Sequence, residues 1–151
     1  MKAFAISALG AAALAAAAPC AWAETVRLMI PAIALDGDSF RILNKSTGRR
    51  TAWPDLRLGT IDAPEMRGKC QSERDLAKSA RNRLAELLSA PDVRLERLKP
   101  AHDRYGRRLV RVRSGGRDVG EALVSEGLAR AYAGGARASW CPMGLARPGE
   151  W

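Results

Sequence analysis

The sequence predicts an α+β fold that is mainly β. It has five short strands, a long helix between the third and fourth strands, and a short helix after the fifth. Three observations predict this. Short runs of alternating apolar residues recur between Gly, Pro and Asp signals. One stretch alone carries sustained helical periodicity. The third is size: 151 residues that are 47% hydrophobic give one domain room for its own core and exclude a disordered chain. Lys and Arg number 25 against 16 Asp and Glu, a net charge of +9, so the natural partner is an anion. Three Cys and one His are too few for a disulfide-dense miniprotein or a zinc finger.

Val26, Leu28 and Ile30 alternate with Arg27 and Met29 as a first strand, and Pro31 weakens its end. Asp36-Gly37-Asp38 is a turn signal, followed by a second strand through Phe40 and Ile42. Asn44 to Pro54 is polar and reads as a loop. Leu56 to Ile61 is the third strand, broken by Ala63-Pro64. The helix is expected over 73–89. Ser72 is its cap, and Leu76, Ala80, Leu84, Leu87 and Leu88 share one face. Pro91 ends it. Val93 and Leu95 mark a fourth strand, 103–106 a turn, and Leu109 to Arg113 a fifth strand. Glu121 to Glu126 is a short helix stopped by Gly127, with Leu128 placed to pack back on it. Five such strands can close into a small OB-type barrel, which removes open edges.

The first residues read as a targeting segment. Lys2, an Ala/Leu run to Ala18 and the site Ala21-Trp22-Ala23 form a secretory signal peptide over 1–23. The run is short for a bilayer span, so no stable membrane insertion is expected after cleavage. The mature chain from Glu24 carries a folded domain over 24–133 and an irregular tail over 134–151. It is expected to be exported, periplasmic or secreted. An exported protein with two remaining cysteines suggests one disulfide, Cys70–Cys141; the alternative is two free thiols. Basic residues are 20 Arg against 5 Lys, a bias that a GC-rich genome would also produce.

Three segments concentrate charge beside Gly or Pro: 36–39, 57–65 and 103–107. Asp36, Asp38, Asp62 and Glu65 come from strand ends that could lie side by side. Clustered carboxylates repel unless a cation or an Arg sits among them, and a hard cation takes oxygen ligands. Taken alone, Asp-Gly-Asp is an ordinary turn. Arg57 and Arg107 change that reading. Two arginines and several acids in one cleft suit phosphoryl chemistry, where guanidinium groups share developing negative charge. His102, the lone His, reads as an exposed turn residue, and Trp140 and Trp151 as packing or tail residues.

The strings Leu35-Asp36-Gly37-Asp38-Ser39-Phe40, Arg57 through Glu65, Asp103 through Leu109 and Ala122 through Ala129 resemble the staphylococcal nuclease (thermonuclease) family. The similarity runs from about Val26 to Tyr132. It implies a five-stranded OB-type barrel and a Ca²⁺-dependent hydrolase of DNA and RNA that leaves 3′-phosphates. Residue by residue, Asp38 and Asp62 match its metal carboxylates. Ala63 matches a position that ligates through its backbone carbonyl. Arg57 and Arg107 match its catalytic arginines, and Glu65 its catalytic carboxylate. Asp36 matches an acid that supports the metal ligands. Arg104 and Tyr105 match residues near the terminal phosphate, with Arg where the family usually has Lys. Tyr132 corresponds to a nucleotide-contacting Tyr, with its spacing from Gly127 off by one. The loop from Asn44 to Pro54 is longer than in compact members, and the tail is too short and Gly-rich for a long final helix. Trp140-Cys141 would instead anchor that tail through Cys70.

The expected partner is DNA or RNA, and the expected state a monomer. The rival reading is a non-catalytic OB-fold protein that only binds nucleic acid. Such a domain should lose the carboxylate–arginine set, and here all five side chains are present. At 5% the aromatics are also sparse for a stacking platform.

Overall fold

Alternating patterns this short make strands whose partners lie far away in sequence. A computed structural model describes residues 25–28, backbone only, and 31–142. The segment 1–23 expected to be a signal peptide, Ile30 and Trp151 lie outside the described residues. The architecture is mixed: two helices and mostly strands among the described residues. In chain order these are β1 (Thr25–Leu28), β2 (Ala32–Ala34), β3 (Ser39–Ile42), β4 (Leu56–Leu58), β5 (Ile61–Asp62), α1 (Gln71–Leu88), β6 (Val93–His102), β7 (Arg108–Ser114), β8 (Arg117–Asp118), α2 (Val119–Ser125) and β9 (Arg130–Ala131).

The main sheet runs β1–β6–β7–β4–β3–β2, with β8 pairing β7. The β4–β7 pairing is parallel and its other pairings are antiparallel. β5 and β9 form a separate antiparallel pair. Among the described residues no pairing joins β1 to β2, so the path is open there.

The core collects the inward residues of these strands with one face of each helix. Phe40, Leu56, Leu58, Val93, Val112, Leu84, Val119 and Leu123 are all nearly fully buried. Burial of such side chains, about 1.5–3 kcal/mol each, is the main force holding strands to helices.

Three local expectations are corrected. The third strand does not run through to Ile61. It breaks at Gly59-Thr60, and Gly59 N–H turns to bond the Val110 carbonyl at 3.2 Å. Leu58 and Ile61 therefore both reach the core. Ser72 does not cap α1. The helix starts at Gln71 behind Cys70, and no side chain caps it. The charged residue of its first turn, Glu73, is buried and accepts from Lys69 N–H at 2.8 Å and Glu65 N–H at 3.4 Å, so it closes the preceding loop. On the inner face Ala77 joins Ala80, Leu84 and Leu88, while Leu76 and Leu87 are half-buried.

The short helix begins earlier than expected, at Val119, because Asp118 caps it by accepting from Glu121 N–H at 3.0 Å. Gly127, at φ 72°, ends it as predicted, with Leu128 N–H on the Leu123 carbonyl at 2.9 Å. The described part of the tail, 134–142, has no helix or strand, as expected. The Cys70–Cys141 disulfide is formed.

Candidate functional site

Gly37 lets the turn between β2 and β3 sit tightly on its neighbours. A Cβ there would lie 2.7 Å from both Ala63 Cβ and Ala80 Cβ. The turn therefore presses against the end of β5 and against α1. Asp38 N–H donates to Asp36 Oδ1 at 3.0 Å, so Asp36 shapes the turn that presents Asp38. Asp38 is buried, and Ala63 N–H donates to its Oδ2 at 3.4 Å.

Arg57 reaches Asp38 because β3 and β4 pair with Ser39 opposite Arg57. Its Nη1 donates to Asp38 Oδ1 at 2.6 Å, and its Nη2 pairs with Oδ2. Burial pushes the Asp38 carboxyl up to about 7, against the opposing pull of Arg57.

Arg107 follows a tight turn at Gly106, which has φ 78°. Asp103 holds that turn: its Oδ1 accepts from the N–H of Tyr105 at 2.9 Å and of Arg107 at 3.0 Å. Its Oδ2 accepts from Arg107 Nε at 2.7 Å. Burial alone would raise the Asp103 carboxyl, but these hydrogen bonds outweigh it and hold it below its ordinary value.

Arg57, Glu65, Arg104, Tyr105, Arg107 and Tyr132 all line one cleft of about 1050 Å³. Tyr105 is exposed, with Arg104 Cζ 4.8 Å from its ring centroid. Tyr132 is fixed by its N–H on the Thr60 carbonyl at 2.9 Å and its Oη on the Gly135 carbonyl at 2.8 Å. A second cleft of about 380 Å³ is lined by Asp62, Ala63 and Glu65, so the two meet at Glu65. The structure thus brings Arg57, Asp62, Ala63, Glu65, Arg104, Tyr105, Arg107 and Tyr132 onto two joined clefts, while Asp36 and the buried Asp38 line neither. His102 is exposed at the end of β6, consistent with its plain reading.

Sequence reasoning missed the tail's part in this site. Trp140 Nε1 donates to Asp62 Oδ2 at 3.2 Å. Arg137 Nε lies 3.0 Å from Asp62 Oδ1, and its Nη1 donates to Glu65 Oε1 at 3.2 Å. Burial disfavours charge on Arg137, but Asp62, Asp38 and Glu65 together outweigh it and raise its pKa. The sole sequence signal was its place between Gly134-Gly135 and Trp140-Cys141, a turn and an anchor.

The donor set can be tested for a hard cation. Asp62 Oδ1 is buried and accepts no hydrogen bond of good geometry among the described residues, although Arg137 stands at ion-pair distance. Asp38 is the better served of the two: its Oδ1 accepts from Ser39 Oγ at 2.9 Å and from Arg57 Nη1 at 2.6 Å, and its Oδ2 from Ala63 N–H at 3.4 Å. A buried carboxylate oxygen short of hydrogen bonds at a strand end, as at Asp62, fits an oxygen-seeking cation. The other candidate, Cys70, Glu73 and Cys141 within 4.8 Å, does not fit a metal, because its two sulfurs are bonded to each other.

No curated protein matches the chain. A family model described as staphylococcal nuclease homologue matches residues 55–139, over half of the sequence. That span contains Arg57, Asp62, Glu65, Arg107, Tyr132 and Arg137, while Asp36 and Asp38 precede it. With both the matched span and the cleft built from it in view, the chain belongs to the staphylococcal nuclease homologue family.

Proposed function

We propose that the protein is an exported, Ca²⁺-dependent nuclease that hydrolyses phosphodiester bonds of DNA or RNA and leaves 3′-phosphates. The observation that carries this reading is the joining of Arg57, Glu65 and Arg107 on one cleft, beside buried Asp38 and Asp62. Asp38, Asp62 and the Ala63 carbonyl would hold the cation. When bound, a Ca²⁺ ion would supply charge to a non-bridging phosphate oxygen. Glu65 orients the attacking water and accepts its proton. The water oxygen bonds to phosphorus as the bond from phosphorus to the 5′ oxygen breaks in line with it, and the leaving 5′ oxygen takes a proton from solvent water. Arg57 and Arg107 hydrogen-bond the crowded phosphate as its charge builds, each contributing about 3 kcal/mol in the transition state. Asp36 holds the turn that carries Asp38. Arg104 and Tyr105 receive the terminal phosphate, and Tyr132 the nucleotide.

The OB-type barrel belongs to the same reading. β1 and β2 follow one another in sequence yet sit at opposite ends of the main sheet path. Neighbours in sequence at the two ends of one path support a sheet that curls back on itself. The disulfide supports export to an oxidising compartment. No described helix is long and apolar enough to cross a membrane. We take the active form as a monomer.

Incubating the protein with single-stranded DNA, double-stranded DNA and RNA, with Ca²⁺, Mg²⁺ or chelator, tests this. Ca²⁺-dependent cleavage that is lost in Glu65→Gln is expected. Salt-sensitive binding with no cleavage under any metal would leave a binding-only OB domain.

A further inference from the structure

Each carboxylate assigned to the cation already has a guanidinium partner. For Asp38 it is Arg57, from inside the sheet. For Asp62 it is Arg137, from a tail with no regular structure. Such a segment reaches a buried carboxylate only if something holds it there. Gly134 and Gly135, at φ 104° and 93°, turn the chain back. Trp140 bonds Asp62 while its ring lies 3.8 Å from Arg130 Cζ. Arg130 Nη1 donates to the Ser139 carbonyl at 3.0 Å. The Cys70–Cys141 bridge then fixes the end.

Arg137 lies where the two clefts meet, lining both. Its Nε faces Asp62 Oδ1 and its Nη1 holds Glu65, so it spans the gap between the two carboxylates. A cation seated on Asp62 needs the same oxygen and repels the guanidinium.

Resting on the reading that Asp38 and Asp62 hold the cation, we propose that Arg137 is a tethered counter-ion, and that a divalent cation must displace it from Asp62 to bind. The disulfide keeps this competitor at high local concentration. The residue therefore sets the cation affinity of the site.

Calorimetric titration of Ca²⁺ into the purified, disulfide-bonded protein tests this without any substrate. Arg137→Ala is expected to bind Ca²⁺ about 5-fold more tightly than the unaltered protein, the size of a partly exposed ion pair. The double variant Cys70→Ser/Cys141→Ser, which releases the tail, should move the same way. If that variant fails to fold, Arg137→Ala decides alone. Asp62→Asn should abolish the binding heat and so mark the site. Equal or weaker affinity in Arg137→Ala, with the heat still lost in Asp62→Asn, would overturn the counter-ion role and leave the cation site standing. No heat in either the unaltered protein or Arg137→Ala would overturn both.

Discussion

Arg107 is held by Asp103 on its Nε side, which directs the rest of its fork into the cleft. A lysine there would keep one charge and lose the planar pair of donors. Arg107→Lys is therefore expected to lower turnover about 100-fold while leaving substrate binding close to normal, read from steady-state kinetics beside a direct binding titration. Unchanged turnover would remove Arg107 from the proposed chemistry. At this scale the sequence was informative where short motifs confine side chains. Asp36 and Asp38 share one turn, Asp62 to Glu65 one strand end, and Arg104 to Arg107 another turn. Arg137 and Trp140 were not legible in the same way. Their partners, Asp62 and Glu65, lie far back in the chain, and no periodicity connects a Gly-rich tail to them.

Between elements, the clearest electrostatic tie is Arg41 of β3 with Asp55, just before β4. Arg41 Nε donates to Asp55 Oδ1 at 2.7 Å and Nη2 to Oδ2 at 2.8 Å. Those hydrogen bonds hold the Asp55 carboxyl below its ordinary 3.8, and burial opposes them only in part. The folded state therefore binds this proton less readily than the unfolded chain. The stabilisation is complete above the unfolded pKa and is lost as pH falls through the lower, folded one. Asp55→Asn is expected to be less stable at neutral pH. It should also lose less further stability than the unaltered protein between about pH 4 and about pH 2, as urea midpoints across that range would show. Parallel losses in both proteins would mean that the pair contributes nothing to folding. Element existence was mostly visible in sequence, because α1 carries a long apolar period and β6 and β7 each contain a short alternating run, Val93 to Glu96 and Val110 to Arg113. Element boundaries were not. Glu73 is drawn to the N–H groups of Lys69 and Glu65, which makes Ser72 an ordinary helical residue. The two-residue strands β5, β8 and β9 are too short to show a pattern.

Across the whole molecule, the order of strands and helices was legible, but the way the sheet path ends was not. One run of alternating residues before Asp36 could not reveal that β1 pairs β6 while β2 pairs β3. The Cys70–Cys141 bridge divides the chain in another sense. Up to Cys70 it is an open thread; from there to Cys141 it is a covalent ring containing α1, α2, Arg107 and Arg137. Two exposed glycine turns fall on opposite sides of that division, Gly48 outside the ring and Gly115 within it. A single protease cut at Gly48 should release, in denaturing electrophoresis, a fragment carrying Asp36 and Asp38. A cut at Gly115 should leave one intact band until a reductant is added. The ring thus lets the polypeptide be severed at that turn and still travel as one molecule.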